Sequence, residues 1–120
     1  MGGKAARVKG CAGERELVLL LRSWGLAARR VPLSGACEGF KDDVIVGPPE
    51  DEERWEVKRR GRAFIQIERW LDLSEVLAFR RDRGDWLVCL RLTDYLTDRG
   101  LVPLPTPPTP DEIDEAYHQT

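Results

Sequence analysis

A chain of 120 residues, 42% hydrophobic and 33% charged with a net charge of −2, has room for one domain with a real hydrophobic core and not for two. No apolar run approaches the roughly 18–20 residues of a membrane helix, and the basic start MGGKAARVKG lacks the apolar stretch of a secretory signal, so cytoplasmic residence with no membrane partner is expected. The single histidine, His118, and three cysteines without a CxxC pair (Cys11, Cys37 and Cys89) argue against histidine triads, zinc sites and disulfide frameworks, which leaves catalysis to carboxylates, lysine and arginine.

From Gly13 to Trp24, apolar residues recur at Leu17, Leu20, Leu21 and Trp24. This i, i+3, i+4, i+7 spacing predicts an amphipathic helix, and Gly25 ends it. A short strand follows over Ala27–Val31, stopped by Pro32. The small, glycine-rich stretch LSGACEGFK reads as a loop. Asp43–Val46 (DVIV) is a brief β-prone run closed by Gly47-Pro48-Pro49. An acidic turn at 50–53 leads into Arg54–Lys58, where alternation sets Trp55 and Val57 on one face, Glu56 and Lys58 on the other. These two runs read as a hairpin.

The basic segment Arg59–Arg62 opens a second helix over Phe64–Leu73. Beyond it, VLAFRR and WLVCLRL flank the turn RDRGD and predict a second hairpin. The stretch LVPLPTPPTP, with five prolines, and the acidic DEIDEAYHQT are not regular structure beyond a possible turn of helix. The expected organisation is one domain over 1–102 and an appended proline-rich acidic tail over 103–120. The order helix, three strands, helix, two strands gives an α/β fold: a central mixed sheet of four or five strands flanked by helices.

If the strands carrying Asp43 and Glu56 pair, Asp43, Glu56 and Lys58 crowd one side of the sheet. Two close carboxylates are costly unless a divalent cation neutralises them, and hard oxygen donors suit magnesium or manganese. Such an ion polarises a phosphodiester and activates water, and a neighbouring lysine orients that water or offsets developing charge. At about 100° per residue, Glu14 lies about 70° from the first helix's apolar stripe, Glu16 about 90° off on its other side, and Arg15 about 170° off. Either glutamate is permitted at the sheet edge, and Glu14 is slightly favoured. Charge supports this picture. Residues 1–41 hold eight Lys/Arg against three Asp/Glu, 42–53 hold six acids and no base, and 54–91 hold ten bases against six acids. Basic blocks around an acidic pocket suit a phosphate-binding metal site, although a solvated surface of mixed charge gives the same pattern.

Together, KGCAGERELVLLL, DDVIV and WEVK resemble the opening helix and the two site strands of the PD-(D/E)XK nuclease superfamily, and within it the archaeal-type Holliday junction resolvases and their phage relatives. The resemblance covers residues 9–92 and implies a restriction-endonuclease-like core. It also implies Glu14, Asp43 and Glu56 as metal-coordinating carboxylates and Lys58 as the catalytic lysine. Arg15 and Arg30 match basic positions near the DNA backbone, Ser34 a serine between the first two strands, and Gln66 a glutamine opening the second helix. The basic Arg59, Arg60 and Arg62 join this DNA-binding set.

Asp42 stands where the superfamily's name has proline, which leaves the register between Asp42 and Asp43 open; alternation within DVIV favours Asp43. The loop Leu33–Lys41 is longer than in compact archaeal members. The resemblance implies magnesium- or manganese-dependent cutting of branched DNA by a homodimer, with Ile65, Ile67, Trp70, Leu71 and the last hairpin as interface candidates. The alternatives are another nuclease of the superfamily (nicking, flap or restriction-type) and a non-catalytic DNA-binding module, which the intact Glu14, Asp43, Glu56 and Lys58 disfavour.

Overall fold

The structure, a computed structural model of the chain, describes residues 3–31 and 43–106, with side chains from 12 to 31 and from 44 onward. Ser34, Cys37 and Asp42 lie outside the described residues, as does the tail from 107. The elements run α1 (Gly3–Ser23), β1 (Ala28–Arg30), β2 (Asp43–Val46), β3 (Glu53–Glu56) and α2 (Ile65–Leu71). After α2 come β4 (Leu77–Phe79), β5 (Leu87–Cys89) and α3 (Leu92–Asp98). They fall into two compact units. One holds α1, β1, β2 and β3 with residues 102–106; the other spans Arg60–Leu101.

In the first unit, α1 starts ten residues ahead of the expected Gly13, because Lys4, Ala5, Ala6 and Arg7 are good helix formers with nothing among them to break the chain. It ends as the glycine predicts. Gly25 takes φ 81°, the Leu26 N–H donates to the Leu21 carbonyl at 3.1 Å, and the Gly25 N–H donates to Arg22 at 3.0 Å, a Schellman-type close. The strands form an antiparallel sheet in the order β1-β2-β3.

Val18 and Leu21 of α1 are fully buried, and so are Val44 and Val46 of β2, with Ala28 of β1 nearly so. Burying each Val or Leu side chain contributes roughly 1.5–3 kcal/mol, which makes this layer the core that fixes the helix over the sheet. The β2–β3 turn depends on Gly47, at φ 107°, whose N–H donates to the Ala27 carbonyl at 2.8 Å.

In the second unit, β4 and β5 pair antiparallel as a hairpin. Both are shorter than VLAFRR and WLVCLRL suggested, and the chain enters α3 at Leu92 instead of leaving the fold. Leu92, Tyr95 and Leu96 provide the helical spacing, and Leu96 is fully buried. Arg91 ties this unit together, donating to the Leu71 carbonyl at 2.8 Å and to Ser74 at 3.1 Å, so it caps the end of α2.

The fold is α/β and restriction-endonuclease-like, in the expected element order with α3 added. Each unit is described with its own sheet, β1-β2-β3 in the first and β4-β5 in the second, and every described pairing is antiparallel, so the described pairings do not include a mixed one. Each described strand is only three or four residues long and pairs with a strand next to it in sequence, so no parallel crossover is needed. No described helix is long and apolar enough to cross a membrane.

Candidate active site

The β2–β3 register pairs Asp43 with Glu56, Val44 with Trp55, Ile45 with Arg54 and Val46 with Glu53. Directly opposed positions on an antiparallel pair share a face, with Cα atoms about 4.5–5.5 Å apart. Positions 43 and 56 are therefore adjacent acidic positions at the end of the hairpin away from its turn. Trp55 and Val57 are half-buried while Glu56 and Lys58 are exposed, which is the alternation the sequence predicted. A Cβ built on Gly13 of α1 would lie 3.6 Å from Val57 Cγ1, so the Val57 side is the one against the helix.

Glu56 and Lys58 stand on the other side as an ion pair, with Nζ 2.9 Å from Oε2 and side chains 55% and 67% exposed for lysine and glutamate respectively. An exposed pair of this kind contributes little to stability, about 0–1 kcal/mol. It keeps an ammonium group beside the Glu56 carboxylate, facing solvent and any ligand that arrives from it.

Glu14 is placed differently. It is 2% exposed, and Arg30 of β1 is 5% exposed; Arg30 Nε donates to Glu14 Oε1 at 3.2 Å. Arg30 is opposite Val44 in the register, so this pair lies in the layer between α1 and the sheet. The structure thus brings positions 43 and 56 together with Lys58, and brings Glu14 to Arg30. Among the described residues, no three His, Cys, Asp or Glu side chains form a group able to hold a metal. Glu16, the alternative to Glu14, is exposed, and so is Arg15.

Of the residues expected at DNA, Arg30 is buried, while Arg59, Arg60, Arg62 and Gln66 are exposed. Arg59 follows Glu56-Val57-Lys58 in the first unit, where β3 ends at Glu56 two residues short of the expected Lys58, and Arg60, Arg62 and Gln66 belong to the second. Sequence reasoning missed the Glu14–Arg30 partnership. The signal was an acid near the edge of the apolar stripe and a strand arginine between buried positions, but only the fold shows that they meet.

A helix laid over an antiparallel sheet, opposed acidic positions 43 and 56 and the Glu56-Val57-Lys58 segment that leaves β3 agree with the restriction-endonuclease-like class of PD-(D/E)XK nucleases. Within that class the particular family is shown by sequence: the family model described as archaeal Holliday junction resolvase (hjc) matches residues 5–99. The chain belongs to this resolvase family. Comparison with curated proteins and with solved structures gives no match. Family membership makes the chain a resolvase-type nuclease and makes Holliday junction DNA its class of partner.

Proposed function

We propose that the chain is a metal-dependent endonuclease that resolves four-way DNA junctions by hydrolysing phosphodiester bonds, with Asp43, Glu56 and Lys58 at its working centre. The observation that carries this reading is the Asp43–Glu56 register with the Lys58 ammonium held 2.9 Å from the Glu56 carboxylate. Two opposed acidic positions supply hard oxygen donors and leave the rest of a coordination sphere to water and phosphate, which fits magnesium or manganese. When bound, such an ion polarises the phosphodiester and lowers the pKa of a coordinated water.

In this reading Asp43 and Glu56 bind the cation. Lys58 orients the attacking water and offsets charge developing on the phosphate. Glu14, buried with Arg30 on the helix side of the sheet, acts through Arg30 on β1 and not at the cation. Arg15, Arg59, Arg60, Arg62 and Gln66 are proposed backbone contacts, along with Ser34.

A homodimer completes the reading, because two symmetric nicks across a junction need two active sites. Trp70, 56% exposed on α2, and the apolar β5 residues Leu87 and Val88 are accessible for the interface. Leu71 is 7% exposed and belongs to the interior of its own unit. The test is cleavage of a synthetic four-way junction, compared with plain duplex, in the presence and absence of magnesium. Magnesium-dependent cutting confined to the junction is expected. Equal cutting of both substrates would make the chain a general nuclease of the superfamily, and binding without cutting would make it a non-catalytic module.

A further inference from the structure

The turn between β4 and β5 is unusual for its job. Arg80–Trp86 carries three arginines in seven residues (RRDRGDW), all exposed, although a hairpin connection needs only turn-forming residues. The Gly84 N–H donates to the Arg81 carbonyl at 2.9 Å, which closes a four-residue turn with Arg83 in its third position. Arg83 takes φ 61° and is the one non-glycine residue with positive φ among those described. Turns with positive φ at this position ordinarily place glycine or asparagine there. An arginine therefore stands where the backbone would be better served by another residue, and such an outlier points to function.

Two further observations say what that function engages. Trp86 is 67% exposed, and the Arg80 guanidinium lies over its ring, 5.3 Å from the centroid. Nothing about closing a hairpin requires an exposed indole. Arg80 and Arg81 donate to the backbone carbonyls of Arg81 and Asp82, each at 3.2 Å and at the surface. Those weak bonds to neutral acceptors are readily exchanged for charged ones. Exposed guanidinium groups beside an exposed aromatic ring form the pairing that grips a phosphate backbone and stacks an unpaired base.

We infer that the β4–β5 turn is a second DNA-contacting element, with Arg80, Arg81 and Arg83 engaging phosphates and Trp86 stacking against an unstacked base where the duplexes branch. This rests on the junction-binding reading above. It adds to that reading a contact in the unit that holds neither Asp43 nor Glu56.

The backbone of Arg83 provides a test that separates binding from folding. Arg83→Gly removes the charge and also relieves the left-handed strain, so a structural role and a DNA role predict different results. Binding of the full chain to a four-way junction and to plain duplex is measured without divalent metal across a salt series, alongside thermal unfolding and sedimentation. For Arg83→Gly, the melting temperature should hold or rise while junction affinity falls, with the slope of log K against log salt reduced by about one. For Trp86→Ala, junction affinity should fall roughly five- to a hundredfold, the range for losing a stacked base, with less effect on duplex.

Junction affinity and salt slope unchanged in both variants, with wild type binding normally, would overturn this inference alone. A change in association state on substitution would assign the turn to a contact between copies and would overturn it too. Wild type that binds no junction overturns both this inference and the reading it rests on.

Discussion

At the scale of single residues, the two acid–base pairs of the first unit call for opposite expectations. Glu14 and Arg30 are both at least 95% buried, so removing Arg30 takes this partner from the Glu14 carboxylate in a low-dielectric layer. Arg30→Ala should therefore cost about 3–5 kcal/mol, whereas replacing both by apolar residues of similar volume should recover most of that loss. Urea denaturation of the single and double variants checks this; a mild single variant would mean that the pair is not buried as described. Lys58 is 55% exposed in its pair with Glu56, and Lys58→Ala should change stability by no more than about 0.5 kcal/mol. It should nevertheless abolish junction cleavage while sparing junction binding, which rests on phosphate contacts. Parallel loss of binding in a gel-shift assay would show that Lys58 holds DNA and not the reaction. The sequence exposed the second pair, since residues two apart in an extended segment share a face, and Glu56 and Lys58 do so although β3 itself ends at Glu56. It hid the first, because Glu14 and Arg30 meet only after α1 folds over β1, and the family resemblance set Arg30 near the DNA backbone.

Elements set the register on which the Asp43–Glu56 pairing depends. Gly47 has φ 107°, and a Cβ there would lie 2.4 Å from the Asp51 carbonyl oxygen, so backbone on both sides of the turn would have to move. Gly47→Ala should thus destabilise the chain by more than the roughly 1 kcal/mol that separates alanine from glycine where the backbone suits both. It should also depress cleavage even though position 47 is remote from Glu56, because a slipped hairpin unpairs positions 43 and 56. Wild-type cleavage together with an unchanged urea midpoint would show that the turn does not set the register. The hairpin itself was legible: DVIV, a Gly-Pro-Pro break and an alternating WEVK leave little choice of structure. α3 was not legible, since its Leu92, Tyr95 and Leu96 stripe begins three residues after β5 ends and merges with a run that already read as strand. The mixed sheet was an inference from element order, which constrains neighbours in sequence but not which strand edges meet.

For the molecule as a whole, the tail expected at 103–120 begins inside the packed structure. The Leu104 N–H donates to the Ser23 carbonyl at 2.7 Å, which satisfies one of the carbonyls left open at the end of α1. A Cβ at Gly25 would lie 3.6 Å from Leu104 Cδ2, so the Leu104 side chain also covers the helix terminus, and Leu104 is 42% exposed. One hydrogen bond and a partly buried leucine together contribute about 1–2 kcal/mol. Two truncations separate residues 103–106 from the rest of the expected tail. Removing 107–120 should leave both the melting temperature and junction cleavage unchanged. Removing 103–120 should lower the melting temperature by several degrees, since about 1 kcal/mol shifts a domain of this size by a few degrees. Cleavage by that shorter chain should persist below its own transition, because the proposed site residues Asp43, Glu56 and Lys58 and the matched family span of 5–99 are intact. Equal melting temperatures for the two truncations would show that the Leu104 contact adds nothing. Loss of cleavage at a temperature where the shorter chain is still folded would make the proline-rich segment part of the working enzyme.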